Sequence, residues 1–227
     1  MRVLFIRHGQ SGNKGRPSCS GEARGPPSQD PGLSELGREQ AITLCADLLK
    51  NVQTPAKVAV LCSPMRRCLQ TAWPTVRAMS PAKCYVHGAL YEFSCAGTAF
   101  QGTSSAAITK EFPAMVPVGF SSAGSWDYRG SSHKETLDDV VLRAQALAQN
   151  FLKDFFPLLR KELGGDDGIV VLIFLHQTVG DLLLQLLTEG SALSWQYGSP
   201  RFPIKNCGVI TCRQDKDGEL LKVLSVK

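Results

Sequence analysis

Residues 169–175, Ile-Val-Val-Leu-Ile-Phe-Leu, form the longest unbroken apolar run in the chain and stop at His176. Seven residues is strand length and far short of a membrane span. The run shows no alternation of polar and apolar positions, so the strand it makes is covered on both faces. Residues 3–6, Val-Leu-Phe-Ile, repeat the pattern and stop at Arg7-His8-Gly9. Buried strands that end in polar, chemically competent residues point to a sheet whose carboxyl edge binds a ligand.

Strand and helix signals alternate along the rest of the chain. Residues 10–32 are rich in Gly, Ser and Pro and carry no periodicity, which marks a long functional or disordered loop. Ser34 can cap a helix to about residue 50, with Leu36, Ile42, Leu44, Leu48 and Leu49 toward a core. Residues 57–62 read as a strand, Ser63-Pro64 opens a helix to about residue 79, and residues 84–86 suit a third strand. The segment 94–134 is dominated by Gly, Ser and Ala, with a short helical signal at 105–112, and reads as an insertion or cover. A long helix follows from about residue 135 with Leu137, Val140, Val141, Ala144, Leu147, Phe151 and Leu152 at helical spacing; Pro157 is expected to kink or end it. After the strand at 169–175 come a helix at 178–188 and a closing hairpin, 209–212 and 220–226, about Asp217-Gly218. The alternation predicts one α/β domain over residues 1–227, with helices on both faces of a sheet.

Composition narrows the partners. With 43% hydrophobic and 20% charged residues the chain is an ordinary soluble globular one. Its net charge of +5 is not gathered into any block, which gives no support to a nucleic-acid or membrane partner and suits a small anionic substrate. The eight cysteines make no CxxC pair, and several lie inside apolar runs. Reduced, buried thiols in a cytoplasmic protein are expected, rather than a disulfide framework or zinc site. A first strand at residue 2 or 3 leaves no room for a cleavable signal.

Four places carry candidate chemistry. Arg7 offers a planar fork of donors for phosphate oxygens, and a neutral His8 can attack phosphorus with one ring nitrogen. The second strand leads into Met65-Arg66-Arg67, which puts arginines in the first turn of a helix, where acidic residues are preferred. A bound anion would repair that mismatch, and Arg66 is the residue chosen to hold it. His176 ends the third site's strand and is followed by Gln177-Thr178, where free helix N–H groups point the same way. Glu92, after Leu90-Tyr91, could act as general acid and then base. Each has a plain alternative: a polar strand end, a surface arginine pair, a structural histidine, a loop carboxylate.

Taken together, Arg7-His8-Gly9-Gln10-Ser11, the run from Ser63 through Arg66 to Ala72, Leu90-Tyr91-Glu92 and the late His176 resemble the histidine phosphatase superfamily, the phosphoglycerate mutase-like group. Asp30 to Ala41 resembles that family's first helix, and Asn206 stands where its members often carry asparagine. The resemblance implies a three-layer α/β/α sandwich on a mixed, mostly parallel sheet. It implies that His8 is phosphorylated, that Arg7, Arg66 and His176 hold phosphoryl oxygens, and that Glu92 protonates the leaving alcohol and then activates water. No metal or cofactor is implied. Ser11, Asn13 and Gln177 join Arg7, Arg66 and His176 as substrate-binding candidates.

The departures bear on the reaction. Lys14 stands where the family often has asparagine, with Asn13 one residue early, and Gln177 replaces a common glycine. Phe93-Ser94-Cys95-Ala96 replaces the Arg-His-Tyr-Gly run usual in mutases, and no arginine pair follows before Arg129. A metal-independent phosphomonoester hydrolase is therefore expected. The alternatives are a mutase-type phosphotransferase and a non-catalytic phospho-ligand or partner-binding protein. The expected substrate is a small phosphorylated molecule, with a phosphoprotein as the other candidate. Lys14, Arg16 and Arg129 are candidate contacts for a second anionic group.

Overall fold

The computed structural model describes residues 1–12, 30–52, 57–96, 102–126, 134–165, 167–192, 195–214 and 220–227. Asn13, Lys14, Arg16, Arg129 and the turn at Asp217-Gly218 lie outside the described residues. The strands are β1 (Arg2–Arg7), β2 (Val58–Cys62), β3 (Lys83–His87), β4 (Val116–Val118), β5 (Val170–Leu175), β6 (Val209–Gln214) and β7 (Leu221–Val226). The α-helices are α1 (Glu35–Asn51), α2 (Arg66–Met79), α3 (Ser105–Glu111), α4 (Leu137–Asn150), α5 (Phe156–Glu162) and α6 (Gln177–Glu189).

The strands form one sheet in the order β4-β3-β2-β5-β1-β6-β7. Neighbours from β4 through β1 run parallel, while β6 is antiparallel to both β1 and β7. The fold is thus α/β with a mixed, mostly parallel sheet. Side chains of the central strands alternate between two cores. Val3, Phe5, Ala59, Leu61, Val171, Ile173 and Leu175 face α4, α5 and α6. Leu4, Ile6, Val58, Val60, Val170, Leu172 and Phe174 face α1, α2 and α3. Both faces being covered, the strands need no polar side, which accounts for their unbroken apolar runs.

Three expectations change. In α1 the buried stripe is Gly37, Ala41, Leu44, Cys45 and Leu48, while Leu36, Ile42 and Leu49 are exposed. Small residues at i, i+4 bring this helix close to the sheet, so side-chain size misleads there. Pro157 does not end its helix. A π turn at Phe151–Phe155 joins α4 to α5, and the Phe156 N–H bonds to Phe151 O. The widened turn takes up the proline, which sits in the first turn of α5, where a missing N–H does no harm. Finally, the cover segment contributes β4, whose Pro117 is tolerated because the strand lies at the sheet edge. No helix among the described residues is long and apolar enough to cross a membrane.

Candidate active site

Register brings the two strand-end histidines together. Arg7 pairs with Leu175 across the parallel β1–β5 ladder, so His8 and His176 follow side by side. Their ring centroids are 5.1 Å apart at 60°. The His8 backbone is fixed from three directions. Its N–H donates to Leu175 O (3.1 Å), its carbonyl accepts from Asn206 Nδ2 (2.9 Å), and the next N–H, of Gly9, donates to Thr71 Oγ1 (3.0 Å).

The His8 ring is oriented as firmly. Nδ1 lies 2.6 Å from Gly9 O. A carbonyl only accepts, so Nδ1 carries the proton and Nε2 keeps its lone pair. Arg67 Nε donates to that lone pair at 3.0 Å. The nitrogen free to attack an electrophile therefore already faces a guanidinium.

Arg67, not Arg66, occupies this position. Successive helix residues point about 100° apart, so only one of the two can face the strand ends. Arg67 shares its stripe with Thr71 and Thr75, both buried at i+4 and i+8, and is itself 7% exposed. Arg66 lies on the outer stripe with Arg77; its side chain is 46% exposed and both Glu111 oxygens accept from Nη2, at 2.7 and 2.6 Å. The anion expected at the α2 N-terminus is present as well, and it belongs to the protein. The Arg66 backbone N–H donates to Asp30 Oδ1 (2.9 Å), and Thr103 Oγ1 donates to Oδ2 (3.0 Å). Burial pushes the Asp30 carboxyl up, against the pull of these donors and both arginines.

Arg7 donates through Nη1 to Ile204 O (2.7 Å), while its Nε is buried without a hydrogen-bond partner. Burial lowers its pKa, the Glu92 carboxylate opposes that shift, and Arg67 adds to it. An arginine so placed remains a cation. His176 is fully buried, with Nε2 2.7 Å from Ser63 Oγ and 3.4 Å from Cys68 Sγ. Burial, then the charge of Arg67, holds its pKa well below the usual histidine range. Its ring is therefore neutral without a ligand, and works as a hydrogen-bonding group rather than a cation.

Glu92 reaches the cluster from the other side. Its Oε1 accepts from Phe93 N–H (2.8 Å) and Val179 N–H (3.3 Å), and Oε2 accepts from Thr178 N–H (3.0 Å). The carboxyl thus sits on the N-terminus of α6, whose own N-cap, His176, makes no side-chain cap bond. A buried pair holds the backbone that delivers it. Arg143 donates to Ala89 O (2.7 Å) and Tyr91 O (2.9 Å), covers the Tyr91 ring at 3.8 Å, and pairs with Glu135 at 2.7 Å. Glu135 in turn accepts from Ser94 N–H (2.9 Å).

The structure therefore gathers Arg7, His8, His176 and Glu92 and adds Arg67, Ser63 and Asn206. It leaves Arg66 outside. The Gln177 side chain is also turned away, donating to Phe202 O (3.0 Å) and accepting from Ile204 N–H (2.8 Å). Ser11 forms a backbone bridge with Leu33, where the loop 10–32 leaves and returns. The signal for Arg67 is present in the sequence, as Arg-x₃-Thr-x₃-Thr on one helix stripe. Glu135 and Arg143 are too far along the chain from Glu92 for any motif to show them.

Comparison with known proteins places this geometry. A sequence model of the histidine phosphatase superfamily (branch 1) matches residues 3–227. No curated protein sequence matches the chain. Among solved structures, the ecdysone phosphate phosphatase of Bombix mori, in complex with tungstate, superposes with a TM-score of 0.61 at 17% identity, covering 99% of this chain and 92% of that one. A mycobacterial glucosyl-3-phosphoglycerate phosphatase gives 0.57 at 23%, over 98% and 96%. A putative alpha-ribazole-5'-P phosphatase from Escherichia coli gives 0.56 at 18%, over 100% and 96%. At such identities the structures speak for the fold, while the match along nearly the whole length settles the kinship: the chain belongs to the histidine phosphatase superfamily, branch 1.

Proposed function

We propose that the protein hydrolyses a phosphomonoester, without a metal, through a phosphohistidine on His8. The observation that carries this reading is the fixed His8 tautomer, with Nδ1–H held by Gly9 O and the Nε2 lone pair directed at Arg67. In the first step Nε2 bonds to phosphorus and the P–O ester bond breaks. Glu92, protonated, gives its proton to the leaving alcohol. In the second step water attacks phosphorus, its proton passes to the Glu92 carboxylate, the P–N bond breaks, and phosphate and free His8 are regenerated. Arg67 leaves Nε2 for the phosphoryl oxygens and shares them with Arg7, whose buried Nε lacks a partner, and with His176. Two guanidinium groups then carry the charge balance that phosphoryl transfer requires. Ser11 remains a candidate for the pocket rim. The proposal extends to a cytoplasmic setting, in keeping with the free thiols of the described cysteines.

The solved neighbours support hydrolysis over mutase chemistry, since their names describe phosphatases of small phosphorylated molecules. The test is turnover of p-nitrophenyl phosphate in EDTA, with acid-labile phosphate trapped on the protein. Wild type is expected to turn over and label, and His8→Ala to do neither. Arg67→Ala is expected to lose roughly 10²-fold or more in kcat/KM, as for removal of a charge-stabilising donor, and Arg66→Ala to stay within about threefold. Equal losses in the two arginine variants would remove the basis for assigning Arg67.

A further inference from the structure

A buried carboxylate in the middle of α6 has no part in the chemistry above. Asp181 is fully buried; Oδ1 accepts from Phe202 N–H (2.6 Å) and Oδ2 from Gln185 Nε2 (3.0 Å). The Trp195 indole and the Arg201 N–H also reach it. Apart from Gln185, these partners belong to one segment, residues 195–202. Burying a carboxyl is costly unless its hydrogen bonds are made, so this one serves to fix that segment against the helix. Gln177 fixes the segment's far end through Phe202 and Ile204, and Arg7 holds Ile204 O. The segment and the residues that follow it are therefore tied to α6 and to the phosphoryl cluster by three separate side chains, Asp181, Gln177 and Arg7.

What the segment presents there is aromatic. Tyr197 meets Phe93 edge to face, ring centroids 5.3 Å apart, and Trp195 at 6.4 Å. Phe93 is the residue after Glu92, and its N–H donates to the Glu92 carboxyl. Tyr197 remains 60% exposed although it is seated in the cluster. In the reading above, the leaving group departs on the Glu92 side, beside these rings.

We propose that Phe93, Tyr197 and Trp195 form a wall for the leaving group, and that the substrate is the phosphate ester of an alcohol bearing a flat apolar or aromatic ring system. This rests on the phosphoesterase reading, so the test separates the two. Equilibrium binding of 2-naphthylmethylphosphonate and of methylphosphonate, neither of which can be hydrolysed, reads the wall without turnover. Wild type is expected to bind the naphthyl compound about tenfold or more tightly than the methyl one, by stacking. Tyr197→Ala is expected to abolish that preference while leaving methylphosphonate binding unchanged, and Tyr197→Phe to retain it. Turnover of 2-naphthylmethyl phosphate against glucose 6-phosphate, both esters of primary alcohols, supplies the second arm. The naphthyl ester is expected to show the larger kcat/KM in wild type but not in Tyr197→Ala. Equal binding of the two phosphonates by wild type, or an equal loss of both in Tyr197→Ala, overturns the wall. Naphthyl preference in binding with no turnover of either ester would keep the wall and overturn the phosphoesterase reading.

Discussion

The His176 imidazole is enclosed where β5, β2 and α2 converge, and Arg67, Arg143 and Arg7 all bring positive charge toward it. Its folded pKa lies well below the ordinary value of about 6.5. Below that pH the unfolded chain takes up a proton that the folded protein refuses, so the unfolded state binds more protons and stability rises with pH. The contribution is complete above about pH 6.5 and is lost as pH falls below it, by up to roughly 1.4 kcal/mol per unit. Urea unfolding at pH 7 and pH 5 should show this loss in wild type and a shallower one in His176→Gln, where Ser63 can still bond an amide. Identical slopes would mean that the ring is charged in the fold. The two strand-end histidines are legible in the sequence because His176 directly follows an apolar run and His8 follows one after a single arginine; the parallel register then aligns them. Arg67 is harder to read because its rank over Arg66 depends on the phase of a helix, which Thr71 and Thr75 reveal only when the stripe is followed. Glu92 alone reads as a loop carboxylate and gains weight in the sequence mainly from its position in the family resemblance, since the α6 N–H groups that fix it come from the far half of the chain.

At the scale of elements, β1 meets the first turn of α1 backbone to backbone. A Cβ on Gly9 would lie 2.7 Å from Gly37 O, and one on Gly37 would collide with the backbone of Gln10. Helix propensity alone says that alanine at Gly37 should stabilise α1 by about 1 kcal/mol. The contact says the reverse: Gly37→Ala must push α1 away from the strand end that carries His8. We expect it to cost about 1–3 kcal/mol and to lower turnover at least tenfold, read by denaturant unfolding and a phosphatase assay. A raised unfolding midpoint would show that the two elements are free to part. Elements differ in how plainly the sequence announces them. The strands β1, β2 and β5 are apolar throughout and bounded by turn residues. β4 is only Val-Pro-Val within a Gly/Ser-rich stretch and exists because β3 offers an edge to pair with. The passage from α4 to α5 defeats the proline rule because a π turn shifts the hydrogen-bond ladder, and no local residue pattern encodes that shift.

For the molecule as a whole, the thiols set an alkaline limit. Cys62, Cys68, Cys84, Cys95, Cys207 and Cys212 are all pushed up by burial, with Cys84, Cys207 and Cys212 at about 12. Above about pH 8.5 the unfolded chain releases these protons while the folded protein keeps them. The folded state then binds more protons, and stability falls as pH rises, by up to roughly 1.4 kcal/mol per unit for each thiol. Denaturant midpoints should drop steeply between pH 8.5 and about 10.5, and less steeply in a Cys84→Ala/Cys212→Ala variant. Equal drops in both would point to other groups. The reduced thiols and the unbroken apolar strands reflect one architecture, a sheet buried on both faces, and that much the cysteine positions and hydrophobic runs make readable.

The sheet order has a further consequence, for the time course of synthesis. β1 leads directly into His8, yet its two neighbours are residues 170–175 and 209–214. Both edges of β1 thus stay unpaired until β5 has been made, and one until β6 has, about ten seconds or more after β1 at ordinary translation rates. During that interval Val3, Leu4, Phe5 and Ile6 are an apolar β-forming segment with nothing to pair with. An apolar strand with its edges open is prone to pair wrongly until its own partners arrive. The strand that leads into His8 is made before both of the strands that hold it.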